Sequence, residues 1–154
     1  MRRLFATAWT IWLIDFATKA WALQSLNANP RKIIGTFLQF TLVHNSGAAF
    51  SFATGFTIAF SLLALTVVVT TIYFAPKITS MGWQIAIGLL LGGVLGNLTD
   101  RIFRTPGFLS GHVIDWIQLP NWPVFNIADS AICIAAAIAF TLSMRNVPPI
   151  TRVR

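Results

Sequence analysis

Four aspartates, Asp15, Asp100, Asp115 and Asp129, are the only carboxylate side chains among the 154 residues, and no glutamate accompanies them. Each lies in or beside an apolar run, where an ionisable group is expensive to keep and is a functional candidate by default. Asp115 stands in Val113-Ile114-Asp115-Trp116-Ile117 and Asp129 in Phe125-Asn126-Ile127-Ala128-Asp129-Ser130. Two carboxylates brought together at a membrane edge cannot both ionise cheaply. One of them then retains a proton, the arrangement with which aspartic proteases activate water and protonate a leaving amine.

The remaining polar residues of the apolar runs admit quieter readings. Asp15 and Lys19 are four apart, share a helix face and can pair within the membrane, which reads first as a device that positions the helix. Gly96-Asn97-Leu98-Thr99-Asp100-Arg101 is either interfacial electrostatics at a helix end or a scaffold for a neighbouring site, and the residues alone leave both open. His44, His112 and Asp115 as metal ligands lack any His-Glu-x-x-His or Cys-x-x-Cys spacing. Cys133, the only cysteine, falls in an apolar helix where a thiol is expected to be buried, inert packing. Ser46, Ser51 and Ser130 have no nucleophile-elbow context.

These residues need elements to hold them, and composition says of what kind. The chain is 56% hydrophobic and only 10% charged, where a soluble domain carries roughly 25% charged residues. An integral membrane protein follows. The net charge of +7 is scattered among apolar segments rather than gathered on one face, and no nucleic-acid motif accompanies it. Four spans are expected, at about 4–26, 50–75, 83–99 and 124–144, forming one all-α membrane domain over 1–154. Met1-Arg2-Arg3 and the apolar residues after it resemble the start of a secretory signal. The run continues to about Leu26 without a cleavage pattern and reads as a retained span.

Pro123 in a first turn would place Asp129 about two turns into the fourth span, with Asn126, Asp129, Cys133 and Ala136 along one face. Gly88, Gly92 and Gly96 form a stripe that predicts close helix packing. Residues 37–43 predict a small strand or hairpin on the outer surface, and 104–121 an irregular loop. Four spans put both termini on one side. Placing them in the cytoplasm leaves Arg2, Arg3, Lys77, Arg145, Arg152 and Arg154 inside against Arg31, Lys32, Arg101 and Arg104 outside, in line with the positive-inside rule.

Five segments in order, Asp15-Phe16-Ala17-Thr18-Lys19, Asn45-Ser46-Gly47-Ala48-Ala49-Phe50, Gly96-Asn97-Leu98-Thr99-Asp100-Arg101, Val113-Ile114-Asp115-Trp116 and Phe125-Asn126-Ile127-Ala128-Asp129-Ser130, resemble the lipoprotein signal peptidase (signal peptidase II) family. The resemblance implies a bacterial inner-membrane aspartic endopeptidase with its active site toward the outer face. It would cleave diacylglyceryl-modified prolipoproteins just before the lipidated cysteine, needing no metal or organic cofactor and acting as a monomer among membrane lipid. By the same resemblance Asp115 and Asp129 are the catalytic pair, and Asn45 and Gly47 line the substrate groove. Asn97 and Arg101 flank the site, Asp100 and Asn126 support it, and Asp15 and Lys19 carry the first-span motif. A β-rich outer platform and a short outer helix would fit 31–50 and 104–121. Phe16 and Trp116 depart from the family pattern without touching the pair.

Two readings from other classes stand beside it. One is a proton- or cation-coupled transporter carrying its ion on Asp15, and the other a non-enzymatic assembly factor. In a background with Cys133 replaced, single cysteines at 45 and 112 are expected to be labelled from outside, and one at 77 from inside only. Outside labelling at 77 would reverse the orientation.

Overall fold

The computed structural model describes residues 1–47 and 57–150. Its elements run α1 (Arg2–Ser25), β1 (Arg31–Ile34), β2 (Leu38–Asn45), α2 (Thr57–Phe74), α3 (Met81–Phe103), β3 (Val113–Gln118) and α4 (Ile127–Met144). A short 3-10 turn, Ala75–Lys77, follows α2. Three helical stretches, Thr57–Lys77, Met81–Phe103 and Ile127–Met144, are long and apolar enough to cross a membrane. The helix α1 is as long but carries Arg2, Arg3, Asp15 and Lys19, and is not among the three.

Helix ends differ from the hydropathic expectation for identifiable reasons. The expected start of the second span, 50–56, lies outside the described residues. The helix α3 runs past Asp100 and Arg101 to Phe103, because both side chains are buried in the protein instead of ending the helix in solvent. The helix α4 begins at Ile127, and Asn126, not a residue near Pro123, is its cap. Asp129 is therefore in the first turn of α4 rather than two turns in.

The strands form one antiparallel sheet in the order β1-β2-β3. The hairpin between β1 and β2 turns through Gly35 at φ +52°, a left-handed conformation that suits glycine. Pairing of β2 with β3 joins distant segments, setting Val43 opposite Asp115 and Asn45 opposite Val113. Residues 104–121 thus contain a strand, and among the described residues neither 26–47 nor 104–126 holds the short outer helix that the resemblance implied. Trp21, Phe40 and Trp116 meet edge to face at 5.0–5.8 Å between ring centres, binding α1 to β2 and β3.

At the centre of the bundle stands α3. The glycine stripe does what its spacing predicts: a Cβ on Gly88 would lie 2.7 Å from the Leu4 carbonyl oxygen, and one on Gly92 2.6 Å from that of Ala8. Gly93 makes the same close approach to α4 at Ala128. The interior is built of Leu4, Ala8, Val68, Leu91, Val94 and Leu98. Large apolar residues instead point outward, as with Val69, Tyr73 and Phe140, while Ser61, Ala128, Ala131 and Ala135 face inward. That distribution suits hydrocarbon as the surrounding solvent, since small residues at helix contacts let backbones approach. Cys133 is exposed, contrary to expectation, because the alanine stripe of α4 meets α3 and turns Cys133 and Ala136 away.

Gly92→Ala is expected to destabilise the fold by roughly 1–3 kcal/mol, since the added methyl would press on the Ala8 backbone and the Ile11 Cβ of α1, neither of which can swing away. Thermal denaturation in detergent measures it, and an unchanged Tm would show that the helices separate freely.

Candidate active site

Asp115 is delivered by β3 and Asp129 by α4, and one amide side chain holds both. A helix N-terminus leaves backbone N–H groups without partners. At α4 the Asp129 N–H donates to Asn126 Oδ1 (2.9 Å), and the Asn126 N–H donates back to Asp129 Oδ2 (3.2 Å). This reciprocal capping box freezes the Asp129 carboxylate against its own helix. Asn126 then donates from Nδ2 to Asp115 Oδ1 at 2.6 Å. It can reach because Trp116 and Ile117 N–H groups bond the Phe125 carbonyl (3.0 and 2.8 Å), folding the approach to α4 back along β3.

The two outer oxygens are held as firmly. Asn45 of β2 donates Nδ2 to Asp115 Oδ2 (2.8 Å), and Asn97 of α3 donates Nδ2 to Asp129 Oδ1 (2.8 Å). Every carboxylate oxygen of the pair thus accepts a bond from a fixed donor. Burial of Asp115, then the nearby charge of Asp129, push the Asp115 carboxyl up to about 7, against the opposing pull of the Asn45 and Asn126 bonds and of Lys19.

Behind the pair, Lys19 Nζ lies 2.7 Å from Asp15 Oδ2 and 2.8 Å from Asp100 Oδ2, and donates to Asn97 Oδ1 at 3.0 Å. All three charges are buried. Asp15 also accepts the Ala128 N–H of α4 (2.9 Å), and Asp100 accepts the Ile114 N–H of β3 (3.2 Å) and pairs with Arg104. The expected Asp15–Lys19 pair is there, but it ties helices together rather than positioning one. Asp15 is fully buried and ion-paired, which leaves a transported ion no access to it. Asp100 turns to Lys19 and Arg104, and Arg101 turns elsewhere.

Arg101 faces a cavity of about 300 Å³ whose polar end is lined by Asn45, Gly47, Asn97 and Arg101. Its length is walled by Phe60, Leu63, Ala64 and Val67 of α2, Val94 of α3 and Ile132 of α4. The guanidinium is within electrostatic reach of Asp115, Asp100 and Asp129, yet its Nη1 has no hydrogen-bond partner among the described residues. His44 and His112 line a different pocket, on the opposite face of the β2–β3 pair, which Asp115 does not enter. Sequence reasoning missed the capping function of Asn126, although Asn126 and Asp129 at the N-cap and third helical positions form a readable start signal.

Outward-facing apolar helices, with a carboxylate pair of which Asp115 is buried and Asp129 half-buried, next to a largely apolar cavity, define a membrane enzyme. The family model for signal peptidase (SPase) II matches residues 7–145. A lipoprotein signal peptidase of Streptomyces coelicolor is 46% identical over 147 residues, covering 95% of this chain and 72% of the relative. One from Mycobacterium avium is 43% identical over 145 residues, covering 94% and 80%. Two bacterial membrane enzymes solved by the in meso method, at 2.3 and 1.9 Å, superpose with TM-scores of 0.83 and 0.81 at 25% and 27% identity. They cover 100% and 94% of this chain, and the alignment covers 94% of each of them. The chain belongs to the signal peptidase II family and is a membrane peptidase.

Between the ordinary aspartate value of 3.8 and about 7 the folded chain holds a proton on Asp115 that the unfolded chain has released. Stability from this group therefore falls as pH rises through that window. The Tm should drop across it in the wild type, and Asp115→Asn should flatten that part of the curve. An equal slope in the variant would show that Asp115 is not the titrating group.

Proposed function

We propose that this chain is a four-span aspartic endopeptidase of the bacterial inner membrane. It removes signal peptides from diacylglyceryl-modified prolipoproteins just before the lipidated cysteine. The observation that carries the reading is the joint grip of Asn126 on Asp115 and Asp129 beside the cavity. The names of the Streptomyces and Mycobacterium relatives support the substrate class.

As the fourth span, α1 has the required reach: its 24 residues extend about 36 Å at about 1.5 Å each, against a hydrocarbon core of about 30 Å. Its charges do not oppose this, because Asp15 and Lys19 neutralise one another inside the bundle. Both termini lie in the cytoplasm and the sheet covers the outer end, so the carboxylates meet the level where acyl chains end and water begins. The protein works as a monomer among membrane lipids, without nucleic acid, metal or organic cofactor.

Asp115, pushed up to about 7, holds the shared proton. Asp129 takes a proton from water as its oxygen attacks the scissile carbonyl carbon. Asp115 gives its proton to the amide nitrogen as the C–N bond breaks, consuming one water and leaving the proton on the other member of the pair. The cavity between α2 and α4 receives the apolar signal segment, and Asn45 and Gly47 border the cleaved strand. The Arg101 guanidinium, at the polar end of that cavity, bonds a substrate carbonyl or ester oxygen. Its guanidinium does not surrender a proton and takes no part in the transfer.

Asp115→Asn and Asp129→Asn are each expected to reduce cleavage of a diacylglyceryl prolipoprotein by about 10²–10⁴-fold while the protein still inserts and melts cooperatively. A folded variant that cleaves at near wild-type rate would overturn the assignment.

A further inference from the structure

The face of the β2–β3 pair turned away from Asp115 closes a second pocket, of about 290 Å³. His44 of β2 and His112, at the entrance to β3, line it together with Arg104 and Thr105 from the end of α3, and no carboxylate lines it. Asp100 binds Arg104 through Nε, from within the bundle, which fixes the guanidinium while leaving its terminal nitrogens uncommitted. Among the described residues neither imidazole nor the Thr105 hydroxyl has a hydrogen-bond partner. The rest of the wall is apolar: Leu23 at the end of α1, Ile114 of β3, and Phe103, which is 80% exposed.

The geometry points to a binding site for a phosphate-bearing anion, most naturally the headgroup of an anionic phospholipid. A guanidinium held by one edge offers a planar fork that matches phosphate oxygens, and imidazole and hydroxyl donors complete a shell around them. A site for a free soluble anion needs no apolar wall, whereas an acyl chain leaving a headgroup meets Leu23 and Phe103 directly. The lipid source rests on the orientation proposed above, which sets this pocket at the outer membrane surface. The site stands apart from the cavity beside Asp115 and Asp129, so its occupant would anchor the sheet and the α1 and α3 ends without competing for the substrate groove.

The test uses the full-length protein in nanodiscs of phosphatidylcholine containing a minority of phosphatidylglycerol. Lipid retained after detergent extraction is counted by native mass spectrometry. The wild type is expected to retain phosphatidylglycerol preferentially, and Arg104→Gln and the double variant His44→Gln/His112→Gln to lose that preference roughly tenfold, the cost of one charge-assisted bond. Inorganic phosphate is titrated in parallel in detergent. A Tm rise with phosphate that the variants lack, without lipid preference, assigns the site to free phosphate; lipid preference that phosphate does not erode assigns it to lipid. If Arg104→Gln does not melt cooperatively, the double variant and Thr105→Val carry the comparison. Absence of both lipid preference and phosphate-induced stabilisation, or equal values in wild type and folded variants, overturns the proposal. No readout depends on cleavage, so an inactive enzyme that retains its lipid would count against the peptidase mechanism alone.

Discussion

A buried ammonium group sets the terms for the rest of this structure. Lys19 has no solvent, so its charge is tolerable only if acidic and amide oxygens surround it, and Asp15, Asp100 and Asn97 supply them. Each of those partners is itself committed elsewhere. Asp15 continues to the first turn of α4, Asp100 to the backbone of β3 and Asn97 to Asp129. The electrostatic need of one side chain thus fixes the relative position of two helix ends and a strand, and the carboxylates sit on those parts. Removing one partner from such a cluster leaves an uncompensated charge, a change that costs about 3–5 kcal/mol in buried pairs.

Close packing of α1 on α3 lets that cluster form. The glycines of α3 bring the backbone of α1 near enough for Lys19 to reach across, and Gly96 leaves room for the Asp15 carboxylate itself, to whose Oδ2 an added Cβ would come within 2.5 Å. Packing without side chains and charge pairing are therefore one arrangement, since neither distance would be available without the other. The sheet adds a lid: aromatic contacts from Trp21, Phe40 and Trp116 hold it over the same end of the bundle.

Much of this is legible in the chain. An aspartate in an apolar run has few explanations, so Asp115 and Asp129 stand out as a pair, and four-residue spacings announce both the Asp15–Lys19 contact and the glycine seam. The strand β3 is harder to read. Val113–Gln118 carries apolar residues on both faces, Val113 and Ile117 on one and Ile114 and Trp116 on the other, instead of alternating, and its partner β2 lies some 70 residues earlier, as the Asn45–Asp115 bond shows. Local pattern carries no register across such a distance. At the start of α4, Pro123 offers a competing signal that points too early. Proline merely tolerates a first turn, whereas Asn126 satisfies a backbone donor, and the second effect decides. For Cys133 the apolar helix and the face shared with Asn126 and Asp129 predict burial, but in a membrane such patterns distinguish buried from lipid-facing positions poorly.

Asn126 shows how narrow a vocabulary such a site allows. Its oxygen accepts the Asp129 N–H, and its nitrogen, 2.6 Å from Asp115, also lies near Asn97 Oδ1 (3.2 Å) and the Ile114 carbonyl (3.3 Å). Aspartate at this position would cap the helix equally well but has no donor for Asp115 and would add a third negative charge. Serine or threonine would cap too, with a single rotatable hydrogen in place of two fixed ones. Glutamine carries the right amide on a longer stem that no longer closes the cap. Of the twenty letters available, one combines acceptor, double donor and reach, so this position has almost no alphabet.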